Sequence, residues 1–277
     1  MLTTTLDGLW VLQVLSGTEV LAPELGLRPH LPSVESPQMA LAHPAAEELR
    51  AAGVIDGDGT VDQTVLEWLT VLCRRDVALL LHVQTPTADA EPERVLLARF
   101  AQWWVSLERS GFHVRISGAG TASSEQSAGR LINAEIERLC GHMPPAAMKP
   151  ATIAVDELLS TVRNSGSLRT FLVNRRLDGD QIALLTLAAD SECSAQASIV
   201  AIQSGVANGP ARRHVGSAAV TIVDTPRGRL VSEHVTRGGR AWMIVCPGSA
   251  GNLASAVVTM MRNLPAHEGW FSHRKVV

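Results

Sequence analysis

"RVLLARFAQWWVSLERSGFHVRIS", residues 94–117, decides the fold class of this chain. The stretch is rich in β-branched and aromatic residues, which favour strands, and a Ser-Gly pair at 110–111 interrupts it. We therefore predict one strand over 94–109 and another over 112–117, preceded by a strand at 77–85. Strands that follow one another through short turns pair antiparallel, so the sequence predicts an antiparallel meander without the crossover helices of a parallel sheet.

Helical patterns lie on both sides of this meander. Apolar residues at helical spacing predict helices at 39–53, 60–75 and 123–141. Thr60 with Gln63, and Ser123 with Gln126, have the residue types and spacing of capping boxes at the starts of the last two. A first strand is predicted at Leu6–Val14, before a proline-rich connector.

The second half of the chain repeats this order of elements. We predict helical segments within 155–189, strands near 196–205, 216–224, 228–235 and 240–246, and a closing helix at 250–264. An Asp-Gly-Asp turn precedes an apolar helix at both 56–58 and 178–180, which favours an internal duplication. The chain is thus predicted to be one domain over 1–277, with pseudo-repeat halves 1–141 and 152–277 joined by a Pro-rich linker at 142–151.

Composition and charge exclude several classes of partner. The 277 residues are 46% apolar, and 24 Lys and Arg lie scattered among 27 acids, so the chain has no basic footprint for nucleic acid. The four cysteines have no metal-ligand spacing, and no apolar run approaches the roughly 18 residues that span a bilayer. We predict a cytoplasmic protein without membrane insertion, nucleic-acid partner, metal or cofactor.

Three segments mimic ligand sites but lack a required residue. "PGSAGNLAS" at 247–255 has the glycines of a phosphate loop without its lysine, and we expect Ser249 to cap a helix there. "GAGTAS" at 118–123 follows a meander strand and lacks the third glycine of a dinucleotide site. "DGDGTVDQTVLE" at 56–67 has Val61 where a calcium loop requires glycine. We predict no catalytic residues and no enzymatic activity; the alternative is a small-molecule-binding or enzymatic α+β domain that uses one of the Gly-rich loops.

Three separated segments carry a resemblance to a known family. They are "LGLRPHLPS" (25–33), "AAGVIDGDGTVDQTVLEWL" (51–69) and "RGRLVSEHVTRGGRAWMIVCPGSAGNLASAVVTMMRNLPAHEGWF" (227–271). In this order they resemble the EspG family, the cytosolic chaperones of mycobacterial type VII (ESX) secretion. The chain departs from the family pattern at Cys246, where an apolar residue is expected before Pro-Gly.

The resemblance implies an α+β fold in which a pseudo-twofold central antiparallel sheet is flanked by two helical bundles. It also implies that the protein binds the hydrophobic tip of the PPE protein in a PE–PPE heterodimer, keeps the pair soluble and directs it to a type VII secretion system. In that family the partner surface includes the loop between the second and third strands, the sheet and the C-terminal bundle. Here these are the loop 86–94 and a bundle within 154–190; self-association stays open.

Candidate partner-binding residues follow from these positions. The loop carries charged residues suited to the polar rim of an interface, and the segment "FLVNRR" at 171–176 carries aromatic and arginine residues of the kind enriched at binding hot spots. A tryptophan of the meander, predicted to share a face with Phe100, is the candidate anchor on the sheet; Phe171 suits the core equally well. The candidates are Asp89, Glu91, Glu93, Arg94, Trp104, Phe171, Arg175 and Arg176.

Overall fold

A single antiparallel sheet contains the ten strands found in residues 1–86, 93–205 and 213–274, which are the residues that this computed structural model describes. The strands are β1 (Leu2–Thr5), β2 (Val77–Gln84), β3 (Glu93–Phe100), β4 (Trp103–Ser110), β5 (His113–Thr121), β6 (Ala151–Ala154), β7 (Ala195–Ser204), β8 (Arg213–Thr225), β9 (Gly228–Arg237) and β10 (Arg240–Pro247). Their order across the sheet is β1-β5-β4-β3-β2-β7-β8-β9-β10-β6. The two halves of the chain therefore contribute five strands each, in equivalent positions about the central β2–β7 pair.

Helices cover both faces of this sheet. Within the same described ranges they are α1 (Leu6–Ser16), α2 (Pro37–Leu41), α3 (Pro44–Ala51), α4 (Gln63–Arg74), α5 (Glu125–Cys140), α6 (Val155–Thr161), α7 (Ser165–Asn174), α8 (Gly179–Ala188) and α9 (Ala250–Arg262). Short 3-10 helices lie at Pro23–Leu25 and His267–Gly269. The arrangement confirms the predicted α+β class with a central antiparallel sheet.

The core consists of three hydrophobic clusters, distributed over the two faces of the sheet. Ala78 and Leu96 face α1–α4 in the N-terminal bundle, whereas Leu79 and Leu97 face α5 and α9 on the other side of the sheet. Val223 packs with α7 and α8 in the C-terminal bundle. Because Val223 lies opposite Gln196, which pairs with Gln84 of β2, it is on the same face as Ala78. The two bundles therefore share one face, and α5 and α9 cover the other.

Equivalent helices begin in the same way in the two halves. Asp62 caps α4 and Asp178 caps α8, and each helix leads into a central strand of the sheet. Thr70 and Thr186 also make the same bond, each donating its hydroxyl to the carbonyl four residues earlier. These correspondences support an internal duplication, which stays a prediction together with the division into halves 1–141 and 152–277.

The predicted first strand is wrong. Residues Leu6–Ser16 form a helix, and only the four residues of β1 before it are a strand. Thr5 caps the helix by accepting a hydrogen bond from Gly8, and Gly17 ends it in the left-handed conformation at φ 65°. The apolar run misled the prediction because α1 is buried on most sides, and a run of this length has no clear periodicity.

The predicted strand over 94–109 is two strands. Ala101 adopts a left-handed conformation at φ 56° and turns the chain, so that Phe100 and Trp103 lie opposite each other in a hairpin. The turn reverses the alternation of side chains in the second strand.

Two predicted helix caps are wrong by one or two residues: Asp62 and not Thr60 caps α4, and Ser124 with Ser127, not Ser123 with Gln126, forms the capping box of α5. The predicted cap Ser249 is confirmed, since its side chain accepts from the Asn252 amide.

Candidate partner-binding surface

The base of the loop 86–94 lies beside the C-terminal bundle. Gln84 at the end of β2 pairs with Gln196 at the start of β7. The Gln196 side chain donates a 3.2 Å hydrogen bond to the carbonyl of Ala188, the last residue of α8. Loop base and bundle therefore form one continuous surface. The candidates Asp89 and Glu91 lie outside the described residues.

Glu93 and Arg94 project to opposite faces at the start of β3, because neighbouring strand residues alternate. Arg94 is exposed. Glu93 is partly buried, and this burial, followed by the nearby Glu108 carboxylate, raises the pKa of Glu93 above its ordinary value. Glu108 itself pairs with Arg138 of α5 at 2.7 Å and with Arg115 of β5 at 3.3 Å. Glu93 thus belongs to a charged cluster under α5, while the exposed Arg94 projects to the other face, where its guanidinium lies beside Gly26.

Phe171 lies on α7, and Arg175 follows the last residue of that helix. Phe171 is 4% exposed and packs in the core of the C-terminal bundle. The Arg175 guanidinium lies over its ring and pairs with the Glu157 carboxylate of α6. Glu157 also pairs with Arg240 of β10, which lies 5.1 Å from the ring centroid of Trp242. The charges of Glu157, Arg175 and Arg240 therefore link α6, α7 and the sheet at the surface of the bundle.

Arg176 follows α7 with a left-handed backbone at φ 59°, and its side chain is exposed. Of the three candidates in the segment 171–176, Arg175 and Arg176 can reach a partner, and the ring of Phe171 supports Arg175 from beneath. Phe171 is 4% exposed, which fits the core role that the sequence also allowed, and its contact with a partner stays a prediction.

Two exposed apolar residues of the bundle escaped the sequence analysis. Leu159 of α6 is 66% exposed and Val173 of α7 is 53% exposed. The signal for Val173 is weak but present, since it lies two residues from the buried Phe171 and so on another side of the helix. Exposed apolar side chains flanked by arginines are suited to an apolar contact with a polar rim.

An apolar cleft opens between the C-terminal bundle and strands β8–β10. Its volume is about 210 Å³. Most of the side chains that line it are aliphatic, and they include Leu158, Leu168, Leu172, Leu185, Val223, Leu230 and Met243. A cleft of this chemistry can accept an apolar side chain, and it contains few groups that could activate a substrate.

The predicted placement of Trp104 on the same face as Phe100 is wrong. It is 1% exposed and packs with α5 and α9 in the cluster beneath the sheet. The hairpin turn at Ala101 places Trp104 on the face of Val95 and Leu97, so it does not share a face with Phe100. Its neighbour Trp103 is 53% exposed, but lies at the end of the sheet away from the loop 86–94. The structure therefore does not bring Trp104 to the candidate surface.

The segments that mimic ligand sites have local structural roles. Ser249 begins α9, and residues 118–121 continue an antiparallel strand. Asp56 accepts hydrogen bonds from the amides of Asp58 and Thr60 and so shapes a turn. Among the described residues, the acids, histidines and cysteines form no group that could hold a metal ion, and no helix is long and apolar enough to cross a membrane.

The chain is similar in sequence and in fold to known proteins. The sequence profile of the EspG family matches residues 5–259. The chain is 50% identical over 280 residues to the ESX-2 secretion-associated protein EspG2 of Mycobacterium tuberculosis, with all of both chains covered. It is 28% identical to the ESX-5 secretion-associated protein EspG5 of Mycobacterium marinum, covering 99% of this chain and 97% of that protein. The fold is similar to that of the Mycobacterium tuberculosis type VII secretion chaperone EspG5, solved in complex with a PE25–PPE41 dimer, with a TM-score of 0.77, 24% identity, and coverage of 98% and 99%.

Proposed function

The chain belongs to the EspG family, and from that premise we propose that it is a cytosolic specificity chaperone that binds PE–PPE heterodimers through the PPE protein. It would cover the hydrophobic tip of the PPE protein, keep the pair soluble and direct it to a type VII secretion system. The solved complex of EspG5 with PE25–PPE41 supports this class of partner. The proposed role requires binding and release, and no reaction chemistry.

One observation carries the proposal: the loop base, the two arginines that follow α7 and an apolar cleft lie along the same bundle. Gln196 links the loop base to α8, while Leu159 and Val173 project from α6 and α7. Apolar residues surrounded by charged ones are typical of specific, non-obligate interfaces. We place the contact with the PPE tip on this surface, with Arg94, Arg175 and Arg176 at its rim.

Co-purification tests the function directly. The protein would be mixed with a panel of purified PE–PPE heterodimers, including PE25–PPE41, and each mixture analysed by size-exclusion chromatography with light scattering. We expect a stable complex with at least one heterodimer, and loss of that complex when apolar residues of the PPE tip are replaced by serine. Absence of any complex, together with a nucleotide or metabolite retained by the purified protein, would favour the small-molecule alternative.

A further inference from the structure

A second cleft opens on the N-terminal bundle, whereas most of the surface assigned to the PE–PPE pair lies on the C-terminal bundle. Its volume is about 660 Å³, and it lies between α1, α3, the segment 26–28 and the turn between β4 and β5. We call it the N-terminal cleft. Its lining includes the side chains of Asp7, Trp10, Gln13, Arg28, Glu48 and Phe112.

Aromatic rings form two sides of the N-terminal cleft. Phe112 is 77% exposed, although its backbone is held in place because its carbonyl accepts a hydrogen bond from the Leu6 amide. Trp10 is fixed between the Arg28 guanidinium, 5.5 Å from its ring centroid, and the ring of His43, which packs edge-on at 5.5 Å. A solvent-exposed phenylalanine on a fixed backbone is suited to stack on an apolar or cationic side chain of a partner.

The charge of the cleft is acidic. Asp7 and Glu48 both line it, both are exposed, and neither takes part in an ion pair found among the described residues. The positive charge of Arg28 is already paired with Glu35 at 2.9 Å. Two arginines, Arg94 and Arg109, lie beside the cleft at Gly26, but the N-terminal half is acidic overall: residues 1–141 carry 18 acids and 10 Lys and Arg, a net charge of −8, whereas 142–277 carry 9 acids and 14 Lys and Arg, a net of +5. A long-range field of this kind favours the approach of a basic partner.

A buried amide at the cleft provides independent evidence of a ligand. Gln13 is 3% exposed, and its side-chain Nε2 has no hydrogen-bond partner among the described residues. A buried donor without a partner is unfavourable and is uncommon in folded proteins unless a ligand or water satisfies it. Gln13 lines the cleft, and rotation of its side chain toward the opening would let Nε2 donate to the carbonyl of a bound peptide.

We propose that the N-terminal cleft docks a basic, extended peptide segment of a second protein. One Arg or Lys of that segment lies between Asp7 and Glu48, a neighbouring apolar or cationic side chain packs on Phe112, and a backbone carbonyl accepts from Gln13. The cleft shares no lining residue with the surface proposed for the PE–PPE pair, so the chaperone can hold its cargo and the basic segment at the same time.

Two capped peptides, ARLGRLA and AELGELA, test the proposal on the full-length protein. Binding would be followed by fluorescence anisotropy of labelled peptide and by amide chemical shifts of Gln13 and Phe112. We expect the arginine peptide to bind with a dissociation constant below about 1 mM and to shift both amides, and the glutamate peptide to bind at least about tenfold more weakly. Comparable binding of the two peptides, or no shift at either amide, overturns the proposal.

Matched variants separate the cleft from general charge effects. Glu48 and Glu47 are adjacent and exposed on α3, but only Glu48 lines the cleft. We expect E48R and F112S to weaken binding of the arginine peptide at least about tenfold, and E47R to change it less than about threefold. Equal losses in E48R and E47R contradict a defined site.

Two further measurements identify the occupant. PE–PPE binding should be the same in E48R and in the parent protein. The PE–PPE assay therefore tests the proposed function independently of the cleft, and either proposal can fail while the other holds. The basic half of another copy of this chain also has a suitable charge for the cleft, and sedimentation equilibrium tests whether such a dimer forms. A dimer that E48R dissociates would assign the cleft to self-association and overturn the proposal.

Discussion

The guanidinium of Arg175 lies over the ring of Phe171, 5.2 Å from the ring centroid. Phe171 is part of the bundle core, whereas Arg175 is about half exposed and pairs with Glu157. The pair therefore joins the packing that stabilises the C-terminal bundle to the charge that the bundle presents. Substitution of Phe171 should consequently affect stability, and substitution of Arg175 should affect binding, although the two residues are only one helical turn apart at the end of α7.

Replacing Arg175 with alanine should reduce binding of a PE–PPE pair by at least about tenfold, because arginine is one of the residue types enriched at interface hot spots. The unfolding free energy should change by less than about 1 kcal/mol, since Arg175 and Glu157 are both partly exposed and water screens their ion pair. Biolayer interferometry and urea denaturation give the two quantities. Arg169, exposed on the same helix, provides the control R169A; the same loss in R169A would show that only the overall charge of α7 matters.

Phe171 and Val173 should show the opposite pattern to each other. F171A should lower the unfolding free energy by about 3 kcal/mol, because it leaves a cavity in the bundle core. V173S should leave it within about 0.5 kcal/mol, since Val173 is 53% exposed, yet should weaken PE–PPE binding. Chemical denaturation and binding assays on both variants measure this difference. Unchanged binding in V173S would place the contact on another side of α7.

Reversing Asp89, Glu91 and Glu93 to lysine should slow association with a PE–PPE pair and alter its salt dependence. Rim charges act mainly on encounter, so the dissociation rate should change little. Stopped-flow fluorescence at low and high salt measures both effects. Because Glu93 also lies beside the Glu108 cluster, the double variant D89K/E91K separates the loop charge from that contact. An association rate that is unchanged at low salt would remove the loop from the interface.

Glu93 should make stability fall as the pH rises. Burial, with the neighbouring Glu108, raises its folded pKa above the unfolded value of about 4.5, so the folded state binds the proton more tightly. This contribution to stability is therefore present below pH 4.5 and is lost as the pH rises through the folded pKa. E93Q should match the parent at low pH and be the more stable of the two at neutral pH, as measured by thermal melts across the range. A difference that does not vary with pH contradicts the assignment.

Arg99 should be essential for attaching the C-terminal segment. It is fully buried, and its guanidinium donates to the carbonyls of Phe271 and His273. R99A should lower the unfolding free energy by about 3 kcal/mol or more, because the carbonyls of Phe271 and His273 lose their donor and the buried Asp76 carboxylate loses the Arg99 charge 3.9 Å away. R94A is the control, since Arg94 is exposed on the same strand and should change stability by less than about 0.5 kcal/mol. Hydrogen exchange at 270–274 should accelerate in R99A alone; equal protection in both variants would show that other contacts hold the segment.

The elements that sequence alone determined are those governed by local chemistry. The predicted helix at 250–264 lies within two residues of α9, because Ser249 caps its first turn and one apolar stripe forms its buried face. The meander could also be predicted, since short turns permit only antiparallel neighbours. For the same reason, residues 118–121 could be excluded as a nucleotide loop before any tertiary contact was known.

The tertiary structure decided which of these side chains are available to a partner. Trp103 and Trp104 are identical in type and adjacent, yet one is 53% exposed and the other 1% exposed. Their difference depends on the backbone at Ala101 and on α5 and α9, which are distant in sequence. Phe171 and Val173 differ in the same way, because helix α7 packs one side against β8 and α8 and leaves another in solvent. The burial of a side chain depends on neighbours that the whole fold brings together. The sequence can therefore indicate which residue types form a binding surface, but not which individual residues are exposed on it.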